Sequence, residues 1–415
     1  MDFPWREVLP LVGFVFLRVL TEPFFWLVVL LVWLQYQRML RTKEALFGFR
    51  DSPFRVAGVA LGYGIIGGLA GSCLMVLFGI SINGLGIGYL WLLAIALMLI
   101  NPRFLCFSYA GGILALFSLV TGYPKVNISA LMGLVAVLHL VESVLILISG
   151  HFDPLPVYVR NRFGRVVGAF NLQKFWPIPL AVMAILTGVP HQVPGDIIKM
   201  PEWWPLIRPW GELENQEIIY SIFPVVAALG YGELAITRLP REKAKHSALN
   251  LALFSLVLLG LAVLASHYSR WAVLAALFAP LGHELVIHLG RRAEFEGRPR
   301  FVPPSRGVMV LDVFKGSPAA RAGLRAGDVI LRLGGVPVNS RAELLSALEL
   351  VNSSFIMEVT SSAGSSLRVQ VLREEGVPLG LILVPEPGDL PNVDYTMASP
   401  LKNLVRRFFH FRSNY

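Results

Sequence analysis

Charge is scarce in this chain. Only 15% of its 415 residues are Asp, Glu, Lys or Arg, and 55% are hydrophobic, whereas a soluble globular domain carries about 25% charged residues. That shortage excludes an ordinary soluble protein. Cysteine is scarcer still: Cys73 and Cys106 are the two in the chain. Both lie inside apolar runs with no metal-ligand spacing around them, so no disulfide framework, metal or cofactor is expected. Aspartate is missing from every long apolar run. A cleavable signal peptide is not apparent either, because the first apolar run is long, carries Arg18 and Glu22, and lacks a small-residue cleavage site. The net charge is +9, yet Lys and Arg sit in short loops between apolar runs and not along one face, so no nucleic-acid partner is expected.

What is abundant is apolar sequence of membrane-crossing length. A helix needs about 20 apolar residues to cross a bilayer, and runs of roughly that size cover 9–36, 56–80, 85–100, 104–120, 130–149, 177–189, 218–236, 247–266 and 271–289. They predict a polytopic α-helical membrane bundle of about 8–9 transmembrane helices. Arg18 and Glu22 interrupt the first run one helical turn apart, where they can pair, and its N-terminal half can lie on the surface. The run 56–80 carries Gly58, Gly62, Gly64, Gly67, Gly68 and Gly71. Gly64 and Gly68 stand at Gly-x-x-x-Gly spacing, a signal for close approach of a neighbouring helix. Trp203, Trp204 and Trp210 among prolines suit an outer loop in the interfacial zone. The loops 37–55, 101–103, 150–177, 237–246 and 290–300 hold 18 Lys and Arg, while the alternate loops hold only Lys125, Lys199, Arg208 and Arg270. The first set therefore belongs in the cytoplasm, with the N-terminus outside and everything after residue 290 inside.

The stretch after the last run changes character. Val308, Val310 and Val313 alternate as a strand ending at the Gly316-Ser317-Pro318 turn, and residues 319–322 make one helical turn stopped by Gly323. Asp328 to Leu331 begins a second strand. Asn339 or Ser340 caps a helix over 341–350, with Glu343 placed for a capping box. Residues 355–360 and 366–372 alternate with period two, as strands around a Gly364 turn. This order, headed by GSPAARAGLRAGDVI, resembles a PDZ domain, and the resemblance implies capture of a peptide segment or C-terminus by a Φ-Gly-Φ loop and the strand that follows. Here the matching residues, Leu379, Gly380, Leu381 and Ile382, come last, which implies a small α+β domain that is circularly permuted. With Arg341, Leu345 and Leu348 they are the expected peptide-binding residues, the peptide adding as a strand. The tail SPLKNLVRRFFHFRSNY places Lys402, Arg406, Arg407 and His410 on one helical face and Leu401, Leu404, Val405, Phe408 and Phe411 on the other. Lys402, Arg406, Arg407 and Phe408 are therefore candidate contacts with membrane lipids.

One motif invites a catalytic reading. His283-Glu284-Leu285-Val286-Ile287-His288 sits in the last run, and intramembrane metalloproteases combine His-Glu-x-x-His helices with PDZ domains. Zinc ligands on one helical face need i, i+4 spacing. Here the spacing is i+5, which turns the second ring about 140° from the first, and no run supplies an aspartate. No catalytic residue is assigned. His139 with Glu142, and Glu233 with His283 or Glu284, are expected to pair between helices and fix the bundle, the alternative being an ion or proton path.

The division that follows is a multi-pass region over 1–290, a basic linker over 291–304, the PDZ-like domain over 305–385 and a Pro-containing linker with its tail over 386–415. This layout resembles the MinJ family of Gram-positive division-site selection. The resemblance implies a non-enzymatic scaffold of bacterial cell division in the plasma membrane, at the septum or poles, with partners of the DivIVA and MinC–MinD type. A divergent or inactive intramembrane protease and a transporter or signalling protein with a PDZ sensor are the rival classes.

Overall fold

The computed structural model describes residues 2–48, 51–186, 198–209, 219–374 and 376–393. The first apolar run is two helices, α1 (Trp5–Thr21) and α2 (Pro23–Phe47). Pro23 holds Glu22 in an extended conformation and ends α1 there. The Arg18–Glu22 pair forms at 4.0 Å, both side chains exposed. α3 (Pro53–Phe78) is capped by Ser52, whose side chain accepts from the Arg55 N–H, and it ends at left-handed Gly79. α4 (Ile87–Ile100) and α5 (Phe107–Thr121) follow, joined by a 3₁₀ turn over Pro102–Leu105. At 1.5 Å per residue they reach only about 21–23 Å, short of the roughly 30 Å hydrocarbon layer. α6 (Ile128–Ser149) is the central helix, with Leu131, Met132, Val135, Ala136 and Val137 fully buried. α7 (Pro240–His267) and α8 (Trp271–Glu296) complete the bundle. α8 continues through Arg291 and Arg292, into the stretch expected to be linker. Among the described residues, α2, α3, α6, α7 and α8 are the five helices long and apolar enough to cross a membrane.

That is fewer than the expected 8–9, because α4 and α5 are short and two apolar runs are not helices at all. Residues 177–186 belong to strand β2 (Val166–Leu186) and 219–235 to β3 (Ile219–Ala235), with β1 (Leu155–Arg160) on the other side of β2. The sheet order is β1-β2-β3, antiparallel, and β2 pairs with β3 from Phe170↔Ala235 to Leu186↔Ile219. The cause is local. Pro177 and Pro179 stand two residues apart, and each interior proline costs a helix about 3 kcal/mol or more, a cost that α8 bears only once, at Pro280; proline in a sheet is confined to an edge.

A sheet edge inside an apolar bundle must have its backbone groups satisfied by protein. The helices and the turn after α3 do this for β2 at alternate residues. Tyr36 Oη accepts from the Phe175 N–H at 3.0 Å and donates to the Phe175 carbonyl at 3.1 Å. Pro177 and Pro179 have no N–H to satisfy. Ser72 Oγ accepts from the Ala181 N–H at 2.9 Å. The Ile82 N–H donates to the Met183 carbonyl at 2.8 Å. Asn83 closes the row, accepting from the Ile185 N–H and donating to its carbonyl. Gly64 and Gly68 lie against the Pro177 and Pro179 carbonyls, so closely that a Cβ at either would collide with that oxygen. The periods match: four helical residues rise about 6.0 Å and two strand residues about 6.7 Å. The Gly-x-x-x-Gly signal is a packing signal, as expected, but its partner is a strand.

The C-terminal unit contains β4 (Val308–Val313), α9 (Pro318–Arg321), β5 (Val329–Leu333), β6 (Val336–Pro337), α10 (Arg341–Glu349), β7 (Ser354–Thr360), β8 (Ser366–Leu372) and β9 (Leu381–Leu383). Its sheet runs β8-β7-β5-β4-β9, with β6 on β5. The core holds Val310, Ile330, Leu333, Val338, Met357, Val359 and Val371, with Leu344, Ala347 and Leu348 of α10. A second face of the unit packs on the membrane region: Phe301, Leu311, Phe314, Ile382 and Val384 join the cluster that contains Tyr36, Phe170 and Trp176.

Candidate functional site

The Gly-Asp pair has a structural explanation. Gly327 takes a left-handed φ of 90°, and the buried Asp328 carboxylate accepts from the Arg325 and Ser362 N–H groups, tying two turns together. Ser340 caps α10 by accepting from the Glu343 N–H, where the spacing indicates, and the Glu343 carboxylate accepts from the Asn339 N–H, one residue before the cap, so the return bond is shifted by one residue from that of a capping box.

The Φ-Gly-Φ residues fall at the start of β9, an edge strand whose one partner is β4. The Leu379 carbonyl accepts from the Ala319 N–H, and the Gly380 carbonyl from the Phe314 N–H. Gly380 has φ +81°, and a Cβ there would collide with the Ser317 side chain. Leu379, Leu383 and the partly buried Leu381 turn into the PDZ-like core, whereas Ile382 packs into the membrane-region cluster. On α10, Leu348 is in the core and Leu345 is exposed. Arg341 is committed: its guanidinium pairs with Asp389 at 2.7 Å and its N–H donates to Glu386. Glu386 lies three residues beyond β9, so these bonds hold the end of that strand beside the start of α10.

The edge of β9 is partly covered. Tyr158 of β1 donates its hydroxyl to the Leu383 carbonyl at 2.7 Å, and Asn392 bonds the Tyr158 backbone from the other side. A charged seam continues this contact. Asp153 bonds Lys315 at 2.6 Å and Arg55 at 3.4 Å, and Lys43 bonds Asp51 at 2.7 Å. Burial raises the Asp153 carboxyl, but Lys315, Lys174 and Arg55 more than offset it and hold it below the usual range. Asp312 goes the other way, pushed up to about 6 by burial. No sequence signal predicted Tyr158, Asp153 or Lys315 as contacts, because each meets a partner more than 150 residues away.

The intramembrane polar residues are paired differently from expectation. Glu233 bonds Lys243 at 2.8 Å and accepts from Ser247 and Tyr231, not from His283 or Glu284. Glu284 bonds Arg103 at 3.2 Å and accepts from Tyr109 at 2.6 Å. His139 meets Cys106 and Ser108 through Nε2. His283 also reaches Cys106, so Cys106, His139 and His283 form the group of the described residues able to hold a metal ion, their ligand atoms within 4.8 Å of one another. His288 is not part of it, in keeping with the i+5 spacing. The candidate tail contacts Lys402, Arg406, Arg407 and Phe408 lie outside the described residues.

Comparison with known proteins agrees with this architecture. Residues 297–377 match the family model of the PDZ domain. The chain carries a PDZ domain. It is also similar to the cell division topological determinant MinJ of Bacillus subtilis, 24% identical over 243 residues, which are 57% of this chain and 56% of MinJ. The chain thus matches a little over half the length of that relative. Residues 297–415 supply fewer than half of those 243 positions, so the likeness extends into the membrane region. Shorter stretches resemble PDZ-containing proteases. The magnetosome formation protease MamE of Magnetospirillum gryphiswaldense is 36% identical over 113 residues, 27% of this chain and 12% of MamE. The periplasmic pH-dependent serine endoprotease DegQ of Escherichia coli is 39% identical over 74 residues, 18% of this chain and 14% of DegQ.

Proposed function

We propose that this chain is a non-enzymatic membrane scaffold that helps place the bacterial division site and recruits partners through its PDZ domain. The observation that carries the reading is the likeness to MinJ beyond the PDZ residues, whereas the protease matches cover 12–19% of those enzymes. In this reading the PDZ domain is cytoplasmic and circularly permuted, and the protein gathers at the septum or poles. Its partners are division proteins of the DivIVA and MinC–MinD type, and a partner segment adds to the edge of β9 beside α10 by strand pairing. The charge distribution of the loops supports that orientation.

The protease alternative draws on the PDZ–protease matches and on the His283-Glu284 pair. Against it, the Glu284 carboxylate is held by Arg103 and Tyr109, which leaves it poorly placed as a general base.

Imaging a fluorescent fusion in the native host tests the proposal. Septal or polar foci are expected, and they should be lost on deletion of 305–385 and weakened by Leu345→Arg, an exposed position whose change leaves the core intact. Gly380→Trp is a poorer probe, since it would disrupt the turn at Ser317. Uniform membrane fluorescence of the unaltered fusion, with normal cell length in its absence, would overturn the reading.

A further inference from the structure

We propose that Cys106, His139 and His283 form a transition-metal site of the zinc class inside the helical bundle. Three separate elements converge there: the turn before α5, the middle of α6 and the middle of α8. Cys106 Sγ lies 3.1 Å from His139 Nε2 and 3.7 Å from His283 Nε2. Tetrahedral zinc, with Zn–S of about 2.3 Å and Zn–N of about 2.0–2.1 Å, places sulfur and nitrogen about 3.5 Å apart. The two separations bracket that value.

The surroundings prepare each ligand. His139 Nδ1 lies 2.7 Å from the Val135 carbonyl. A carbonyl can only accept, so the ring proton is on Nδ1 and Nε2 presents its lone pair to the cluster. That is the second partner a metal-bound imidazole ordinarily has. Cys106 caps α5, with its sulfur accepting from the Ser108 N–H, and a helix N-terminus favours the thiolate that binds metal. Among the described residues, the Cys106 sulfur is the one hydrogen-bonding partner of His283, whose Nδ1 is buried without one. A thiol proton can serve only one of two imidazoles, the Ser108 hydroxyl at 3.3 Å from His139 Nε2 being the other available donor, whereas a cation satisfies both rings and the sulfur together. Phe254 packs edge-on against both imidazoles, and Tyr109 against His283, a shell that fixes the ring planes.

One thiolate with two imidazoles selects zinc-class or cuprous ions over Mg²⁺ and Ca²⁺, which prefer oxygen. Three protein ligands leave a fourth position; Glu142 lies one turn from His139 on α6, whereas Glu284, next to His283, is held by Arg103 and Tyr109. Neither the scaffold reading nor the PDZ domain requires this site.

The test uses the full chain in lipid nanodiscs, loaded separately with Zn²⁺ and Co²⁺ and freed of loose metal. About one zinc per chain is expected, and cobalt should give a thiolate charge-transfer band with tetrahedral visible bands. Cys106→Ser and His283→Gln should weaken zinc by more than about 100-fold, since loss of a second-sphere partner alone costs about 10–100-fold. Cys73→Ser and His288→Gln should leave affinity unchanged. The Cys73→Ser chain keeps Cys106 as its single thiol, so its cobalt spectrum decides the matter even if Cys106→Ser fails to fold. A Cys73→Ser chain with no thiolate–cobalt band, or a folded Cys106→Ser chain that holds zinc as tightly as the unaltered one, would overturn the proposal.

Discussion

The glycines of α3 offer an internal experiment on helix–strand packing. Gly64 and Gly68 face β2, where an added Cβ would collide with the Pro177 or Pro179 carbonyl and also lie 3.0–3.4 Å from the proline Cδ. Those oxygens belong to a strand pinned at both ends by Tyr36, Ser72 and Asn83, so helix and strand must part for a methyl group to enter. Overpacking of this kind destabilises by about 1–3 kcal/mol. Gly62, two residues before Gly64, and Gly58, six before it, lie in the same helix with open space at their Cβ positions. Replacing them with alanine removes only the helix penalty of glycine, a gain of up to about 1 kcal/mol. Thermal unfolding of the four alanine variants in one nanodisc preparation should therefore split by sign. Gly64→Ala and Gly68→Ala should melt below the parent protein, and Gly58→Ala and Gly62→Ala at or above it. If all four shift alike, the close approach of α3 to β2 is wrong.

Two further perturbations address the seam between the PDZ domain and the membrane region. Tyr158→Phe removes the hydroxyl bond to the Leu383 carbonyl, worth about 1 kcal/mol, and should speed hydrogen–deuterium exchange over 381–393 about fivefold; unchanged exchange would show that Tyr158 does not guard the β9 edge. Asp312→Asn tests a buried acid whose carboxyl is raised to about 6 by desolvation. A raised carboxyl favours the protonated folded state, so its contribution is fully present below about pH 4, the unfolded range, and is lost as pH rises through 6. Asp312→Asn should be more stable than the parent at pH 7.5, by up to about 3 kcal/mol, and the difference should vanish near pH 4. A pH-independent difference would mean that Asp312 titrates normally.

The PDZ domain was legible because its signals are local. Gly316-Ser317-Pro318, Gly327-Asp328 and Ser340 with Glu343 each act over a few residues, and the turn, the tied loops and the capped helix form where those residues stand. Long apolar runs likewise marked α2, α3, α6, α7 and α8 as membrane-length helices. The hairpin was misread because hydropathy reports apolar length and not backbone conformation. Pro177, Pro179 and Pro224 were visible, but they gave no hint that Tyr36, Ser72 and Asn83, from three places in the chain, would complete the edge of β2.

Apolar run length and short-range turn chemistry, acting through neighbours along the chain, were thus enough to divide this protein into a membrane region and a PDZ domain. Tertiary structure alone decided which side chains meet across the bundle. It set Gly64 and Gly68 against a strand, Tyr158 against β9, and Cys106 with His139 and His283. Contacts separated by 33 to 225 residues are chosen by packing geometry, and no spacing within a single run encodes them.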